Sequence, residues 1–165
     1  MDFNNPADLE KNSFTGFKTI DQLNFDSSVI PKKRGVYLVL HPDPEKISFV
    51  YPGTGGFFKQ KDPNLEISEL VSKWVRNSIV VYIGKAGSLT GAATLNSRLR
   101  QYLRFGQGKA VGHYGGRLIW QIKNSQDLII CWKTLNGEEP RSIESMIIAD
   151  FVRQFGKLPF ANMVK

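Results

Sequence analysis

Ile79-Val80-Val81-Tyr82-Ile83-Gly84-Lys85 is a near-continuous apolar, β-branched run that ends at a glycine. Such a run reads as a buried strand. Upstream, Gly35-Val36-Tyr37-Leu38-Val39-Leu40 has the same character, between a basic turn and His41-Pro42. It predicts a second strand, and both strands carry a tyrosine close to a glycine. Downstream, Thr94 is a candidate cap for a helix through about Arg104. Its apolar positions Leu95, Leu99, Tyr102 and Leu103 fall on one face, and Gly106 and Gly108 end it. Leu118–Ile122 and Leu128–Trp132 read as two further strands. Pro140 opens a last helix that runs to about Phe155 and stops at Gly156, before a tail over Leu158–Lys165.

Between the two tyrosine strands, Ile47–Tyr51 is a candidate strand and Pro52–Gly56 a turn. Asp62-Pro63 reads as the start of a helix through about Arg76. Residues 1–31 are polar with scattered aromatics and read as an arm, with a short helix near Thr19–Leu23. Strands and helices mix without repeated βαβ units. The expected class is α+β: a small central mixed or antiparallel sheet flanked by helices. The expected division is an arm over 1–31 and one domain over 32–165.

The chain of 165 residues is 41% hydrophobic and 22% charged, which excludes a disordered composition. No apolar run nears the roughly 20 residues of a membrane helix. The N-terminus is polar and acidic, unlike a signal peptide. Cys131 is the only cysteine, so neither an internal disulfide nor a Cys-rich zinc site is expected. Mid-strand, it reads as packing rather than as a nucleophile. A cytoplasmic protein is the default reading.

The net charge is +7, and its distribution is uneven. Leu70–Gln126 contains no Asp or Glu but nine basic residues, among them Lys85, Arg98, Arg100, Arg104, Lys109 and Arg117. A surface built from that segment attracts a polyanion.

Several residues have a chemical reading of their own. A tyrosine near a strand end keeps its hydroxyl available to a polar partner. On a helix, Arg98 lies beside Leu95 and Leu99 and four residues before Tyr102, whereas Arg100 falls on another face. A guanidinium so placed pairs with phosphate bidentately. Glu144 shares a helix face with Ile148, Phe151 and Phe155. A first-turn Glu favoured by the helix dipole is one reading, and a ligand for Mg²⁺ is the other. Gly108–Arg117 is glycine-rich, basic and aromatic; it reads either as a turn or as a nucleic-acid contact loop, with Lys109, His113, Tyr114 and Arg117 as contacts.

In order, G-V-Y at 35–37, Y-I-G-K-A at 82–86, R-L-x-x-Y at 98–102, Glu144 and Asn162 resemble the motifs of the GIY-YIG endonuclease family. The resemblance spans about Gly35–Asn162. The Arg helix and the Y-I-G block are similar to the nuclease domain of the bacterial excision-repair incision subunit. The resemblance implies a DNA endonuclease using one Mg²⁺ or Mn²⁺ held by Glu144. It implies that Tyr37 and Tyr82 orient or deprotonate the attacking water, that Arg98 binds the scissile phosphate, and that Asn162 supports the site. Lys85 would contact phosphate, and Tyr102 stands where members carry His or Tyr.

Tyr37 and Tyr82 are 45 residues apart, longer than the family's compact hairpin. About 41–78 therefore reads as an insertion holding a hairpin and a helix. Tyrosine ionises near 10 and serves as a base only if Lys85, Arg98 or the metal lowers that value. The expected partner is DNA, duplex or branched. A monomer with one site cuts one strand at a time, so double-strand cleavage would need a homodimer, a larger assembly or sequential binding. The alternative is a nucleic-acid-binding module that is catalytically inactive or depends on a partner. A weaker third reading is a structural protein whose basic face binds an acidic protein.

Overall fold

The computed structural model describes residues 1–163; the last two residues of the expected tail, Val164 and Lys165, lie outside the described residues. Strand β2 (Gly35–Leu40) is central in a four-stranded sheet, with every residue buried. It pairs antiparallel with β3 (Val80–Ala86) on one side and with β4 (Ile129–Thr134) on the other. β1 (Thr15–Thr19) adds to the outer side of β4, giving the order β1-β4-β2-β3. The class is α+β, and the sheet is wholly antiparallel.

Side chains alternate across a pleated strand, so β2 feeds two cores. Tyr37 and Val39 face one side with Tyr82, Ile130 and Trp132. α4 (Leu95–Gly106) covers that side with Leu95, Leu99 and Tyr102. Val36, Leu38 and Leu40 face the other side with Ile83 and the buried Cys131. There α5 (Pro140–Phe155) contributes Ile148 and Phe151, and Phe3 packs edge-on to Phe151. Thr94 closes a capping box with Ser97 at the start of α4. Pro140 opens α5, and Gly156 ends it in the left-handed region.

Residues 1–31 are built into the fold. α1 (Pro6–Lys11) and α2 (Ile20–Phe25) flank β1, and α2 matches the short helix expected there. Polar alternation in an edge strand left β1 unread. It is interrupted by a bulge where Gly16 and Phe17 take positive φ.

Four expected elements differ. Leu118–Ile122 forms no strand: Arg117–Gln121 is a short 3-10 helix, and Leu118 through Gln121 are all buried. A short apolar run does not separate these alternatives by periodicity. The Gln121 amide accepts from Leu65 N and donates to Leu65 O, tying this turn to the insertion. Ile47–Tyr51 makes only one bridge, Phe49 to Ile122. The expected hairpin in 41–78 is likewise reduced to a single Phe58–Lys61 bridge. The helix of the insertion is shorter than expected, α3 at Ile67–Lys73. Asp62 does not cap it; its carboxylate accepts from the backbone and side-chain nitrogens of Asn64, the local turn that competes with helix entry. Among the described residues no helix is long and apolar enough to cross a membrane.

Candidate functional site

The β2–β3 register sets Tyr37 across from Gly84. The tyrosine ring lies over that glycine: a Cβ at 84 would stand 2.5 Å from Tyr37 Cζ and 2.7 Å from its hydroxyl. Tyr82 projects from the same face two residues earlier, with its ring centroid 5.9 Å from that of Tyr37. Tyr102, from α4, completes a cluster at 6.2 and 5.8 Å from the two. The glycine-rich loop is laid over this cluster. A Cβ at Gly116 would fall 2.4 Å from the Tyr102 hydroxyl and 2.6 Å from the Tyr82 ring. Gly116 also takes φ 70°, a region glycine enters without a Cβ penalty.

The three hydroxyls differ in access. Tyr37 and Tyr102 are fully buried, and Tyr82 keeps 8% of its surface. Tyr82 alone of the three lines a cleft of about 360 Å³, whose walls include Gly115, Gly116, Arg117, Arg141, Glu144 and Asn162. Burial pushes the Tyr82 hydroxyl up to about 12, with Glu144 adding to the rise and Arg98 opposing it. Burial raises Tyr37 well above its ordinary value, with Tyr82 adding to the effect; Arg98 opposes it and Glu144 reinforces it. The condition for a tyrosine base, a value lowered by a neighbouring cation, is not met by Arg98 alone. Desolvation of the phenolate outweighs the attraction of Arg98 at both hydroxyls.

Glu144 sits in the second turn of α5, half-buried in the cleft wall. Burial raises its carboxyl, while Lys85 and Arg141 pull it back. Arg98, half-buried on α4, donates to Gln101 Oε1 at 2.9 Å. Arg98 and Glu144 thus act with opposite charges on the same two tyrosines. Asn162 is held by the edge of β3: its Oδ1 accepts from Ile83 N at 3.0 Å and its Nδ2 donates to Ile83 O at 2.9 Å. The pair of bonds fixes the chain at 161–163 beside Tyr82.

Tyr82, Glu144, Asn162, Tyr114 and Arg117 line one cleft, as their shared candidacy requires. Lys85 and Arg98 act on it through charge without lining it. Tyr37 stands behind Tyr82. The buried Tyr102 hydroxyl, at the place where members carry His or Tyr, donates to Gly116 O at 2.6 Å and does not line the cleft. His113, expected as a nucleic-acid contact, lies inside the fold instead. It is 1% exposed and stacks on Tyr102 at 4.4 Å, so it presents nothing to a ligand on the surface. Arg100, Arg104 and Lys109 are exposed but stand outside the cleft.

The sequence reading missed Arg141. Its signal was the spacing of three residues before Glu144, which places the two on adjacent turns of one helix face. The buried side-chain nitrogens without a partner among the described residues are those of His113, Arg117 Nε and Trp120 Nε1. All lie in the segment that roofs the tyrosines.

No group of three or more His, Cys, Asp or Glu side chains arranged to hold a metal occurs among the described residues. A single half-buried carboxylate fits a hard cation such as Mg²⁺ or Mn²⁺, which takes most of its ligands from water and phosphate oxygens. The chain matches no protein-family model, no curated protein and no solved structure.

Proposed function

We propose that the chain is a metal-dependent DNA endonuclease with a GIY-YIG-like site. The observation that carries this reading is one of convergence. Tyr82, Glu144 and Asn162 come from three distant segments into one cleft, and Arg98 imposes its charge on the same tyrosine pair. That is the equipment of phosphodiester hydrolysis: a polar group for the water, a cation for the phosphoryl oxygens and a carboxylate for a metal.

The Tyr82 hydroxyl, neutral at pH 7, positions the attacking water through its lone pairs rather than removing a proton outright. Tyr37, fully buried, holds the Tyr82 ring in place. The guanidinium of Arg98, which stands outside the cleft lining, would turn from Gln101 to pair with the non-bridging oxygens of the scissile phosphate, and Lys85 adds positive charge. Glu144 would hold one Mg²⁺ or Mn²⁺, and such an ion supplies Lewis-acid stabilisation of the leaving 3′-oxygen. Asn162 fixes the wall opposite.

The test is cleavage of supercoiled plasmid and branched oligonucleotides with Mg²⁺, Mn²⁺ or EDTA, with Glu144→Ala beside the wild type. Metal-dependent cutting that the variant loses is the expected result. Absence of cutting, with salt-sensitive DNA binding by both proteins, would assign the chain as a binding module instead.

A further inference from the structure

The insertion between β2 and β3 contains a tight turn at 58–61 that leans on the glycine-rich loop. Lys61 N donates to Phe58 O at 3.1 Å, and Lys59 and Gln60 both take left-handed φ of 51° and 59°. This is a two-residue turn of the type that closes hairpins. Three contacts lay it along the loop. A Cβ at Gly56 would fall 2.1 Å from Lys109 O, and one at Gly112 would fall 3.4 Å from the Phe58 ring. The Tyr114 hydroxyl donates to Asp62 O at 3.1 Å.

The surface so formed is aromatic and cationic. Phe57 leaves 54% of its area in water and Tyr114 leaves 37%. Lys59, Lys61 and Lys109 are exposed on the same turn and loop, none in an ion pair among the described residues, and the Lys59 ammonium lies 5.4 Å from the centroid of the Phe58 ring. The Arg117 guanidinium stacks 4.0 Å over the Tyr114 ring and also lines the cleft, so this surface runs into the candidate site. Exposed rings on a turn and loop that also carry ammonium groups without a carboxylate partner match the recognition of unpaired nucleotides: bases stack on the rings and phosphates follow the cations. A duplex offers its phosphates but hides its base faces in its own stack.

We propose that Phe57 and Tyr114, with Lys59, Lys61 and Lys109, form a stacking platform for unpaired bases of a DNA strand whose backbone enters the Glu144 cleft. This rests on the endonuclease reading and deepens it, assigning a branched or single-stranded substrate rather than a plain duplex.

The test is fluorescence anisotropy in EDTA, with a labelled oligothymidylate, the same backbone carrying abasic residues, and a blunt duplex. The wild type is expected to bind the thymidylate about tenfold more tightly than the abasic strand. Phe57→Ala removes most of that ratio and Phe57→Trp keeps it; Phe57 is exposed, so neither change threatens folding. Equal affinity for the two strands, or an unchanged ratio in Phe57→Ala, would overturn the proposal and leave the rings to a protein partner. If plasmid is cut while the ratio is one, the nuclease reading stands and the platform falls. A base-dependent ratio in a protein that cuts nothing keeps the platform and sinks the nuclease.

Discussion

Tyr37 and Gly84 face each other across the β2–β3 ladder, and the tyrosine ring fills the space that a side chain at 84 would need. The glycine of the Y-I-G block is thus a packing requirement of the tyrosine on the neighbouring strand. Gly84→Ala is expected to cost about 1–3 kcal/mol through overpacking. At roughly 2–4 °C per kcal/mol for a chain of this size, a thermal melt reads the change directly. Nuclease activity should fall with it, because Tyr82 is packed against the displaced ring. A melt and a cleavage rate both equal to wild type would show that the ring is free to move.

Among the described residues, Arg98 makes its one side-chain hydrogen bond to Gln101 on its own helix, so its removal should leave the fold intact. Arg98→Ala is expected to slow cleavage by about 10²–10³, the usual effect of deleting one electrostatic stabiliser. Arg98→Lys restores charge but not the fork and should recover little. A loss below fivefold in single-turnover cleavage would remove Arg98 from the reaction.

The acid limb of the cleavage profile should report Glu144. Burial holds this carboxyl above the ordinary 4.5, so it takes up its proton, and ceases to be a ligand, at a higher pH than a free glutamate. Lys85 and Arg141 restrain that rise. Arg141→Gln and Lys85→Gln are therefore expected to move the limb further toward neutrality. Profiles that coincide with wild type would disconnect these cations from Glu144.

His113 gives a stability signature independent of activity. Burial, helped by the charge of Arg98, pushes its imidazole down to about 3 from an ordinary 6.5. Between those values the unfolded chain takes up a proton that the folded chain refuses. The corresponding stability is complete above 6.5 and is lost as the pH falls toward 3, by up to about 1.4 kcal/mol per pH unit. His113→Phe should lack this component, while His41, also lowered by burial, titrates in both proteins. Urea midpoints at pH 7 and pH 5 give the comparison, and parallel declines would mean that His113 is protonated in the fold.

The sheet centre and the helices α4 and α5 were legible because their patterns are local. Gly35–Leu40 and Val80–Ala86 are dense in β-branched residues, and Thr94 and Pro140 mark their helices chemically. Three features were not legible. β1 is a half-exposed edge strand whose signal is spread over pairing with β4, more than a hundred residues away. The apolar run at Leu118–Ile122 carries no period that distinguishes a strand from a buried 3-10 turn. At the candidate site, the resemblance pointed to Tyr82, Glu144 and Asn162, which line one cleft, but residue type alone says nothing of access. Only packing shows that Tyr102 and His113 face inward while Tyr82 reaches the cleft.

The attachment of Asn162 to β3 has a consequence for how this molecule meets others. Its carboxamide offers Ile83 the same donor and acceptor that a neighbouring peptide group would, and Ala161 N donates to Val81 O just before it. One margin of the sheet is thus sealed by a side chain acting as a fragment of strand. The opposite margin, β1, is broken by the bulge at Gly16 and Phe17 and carries an exposed lysine at 18. Both are devices that deny a foreign strand a continuous ladder. Addition of a foreign strand, the route by which sheets grow into fibres, is thereby disfavoured at both margins.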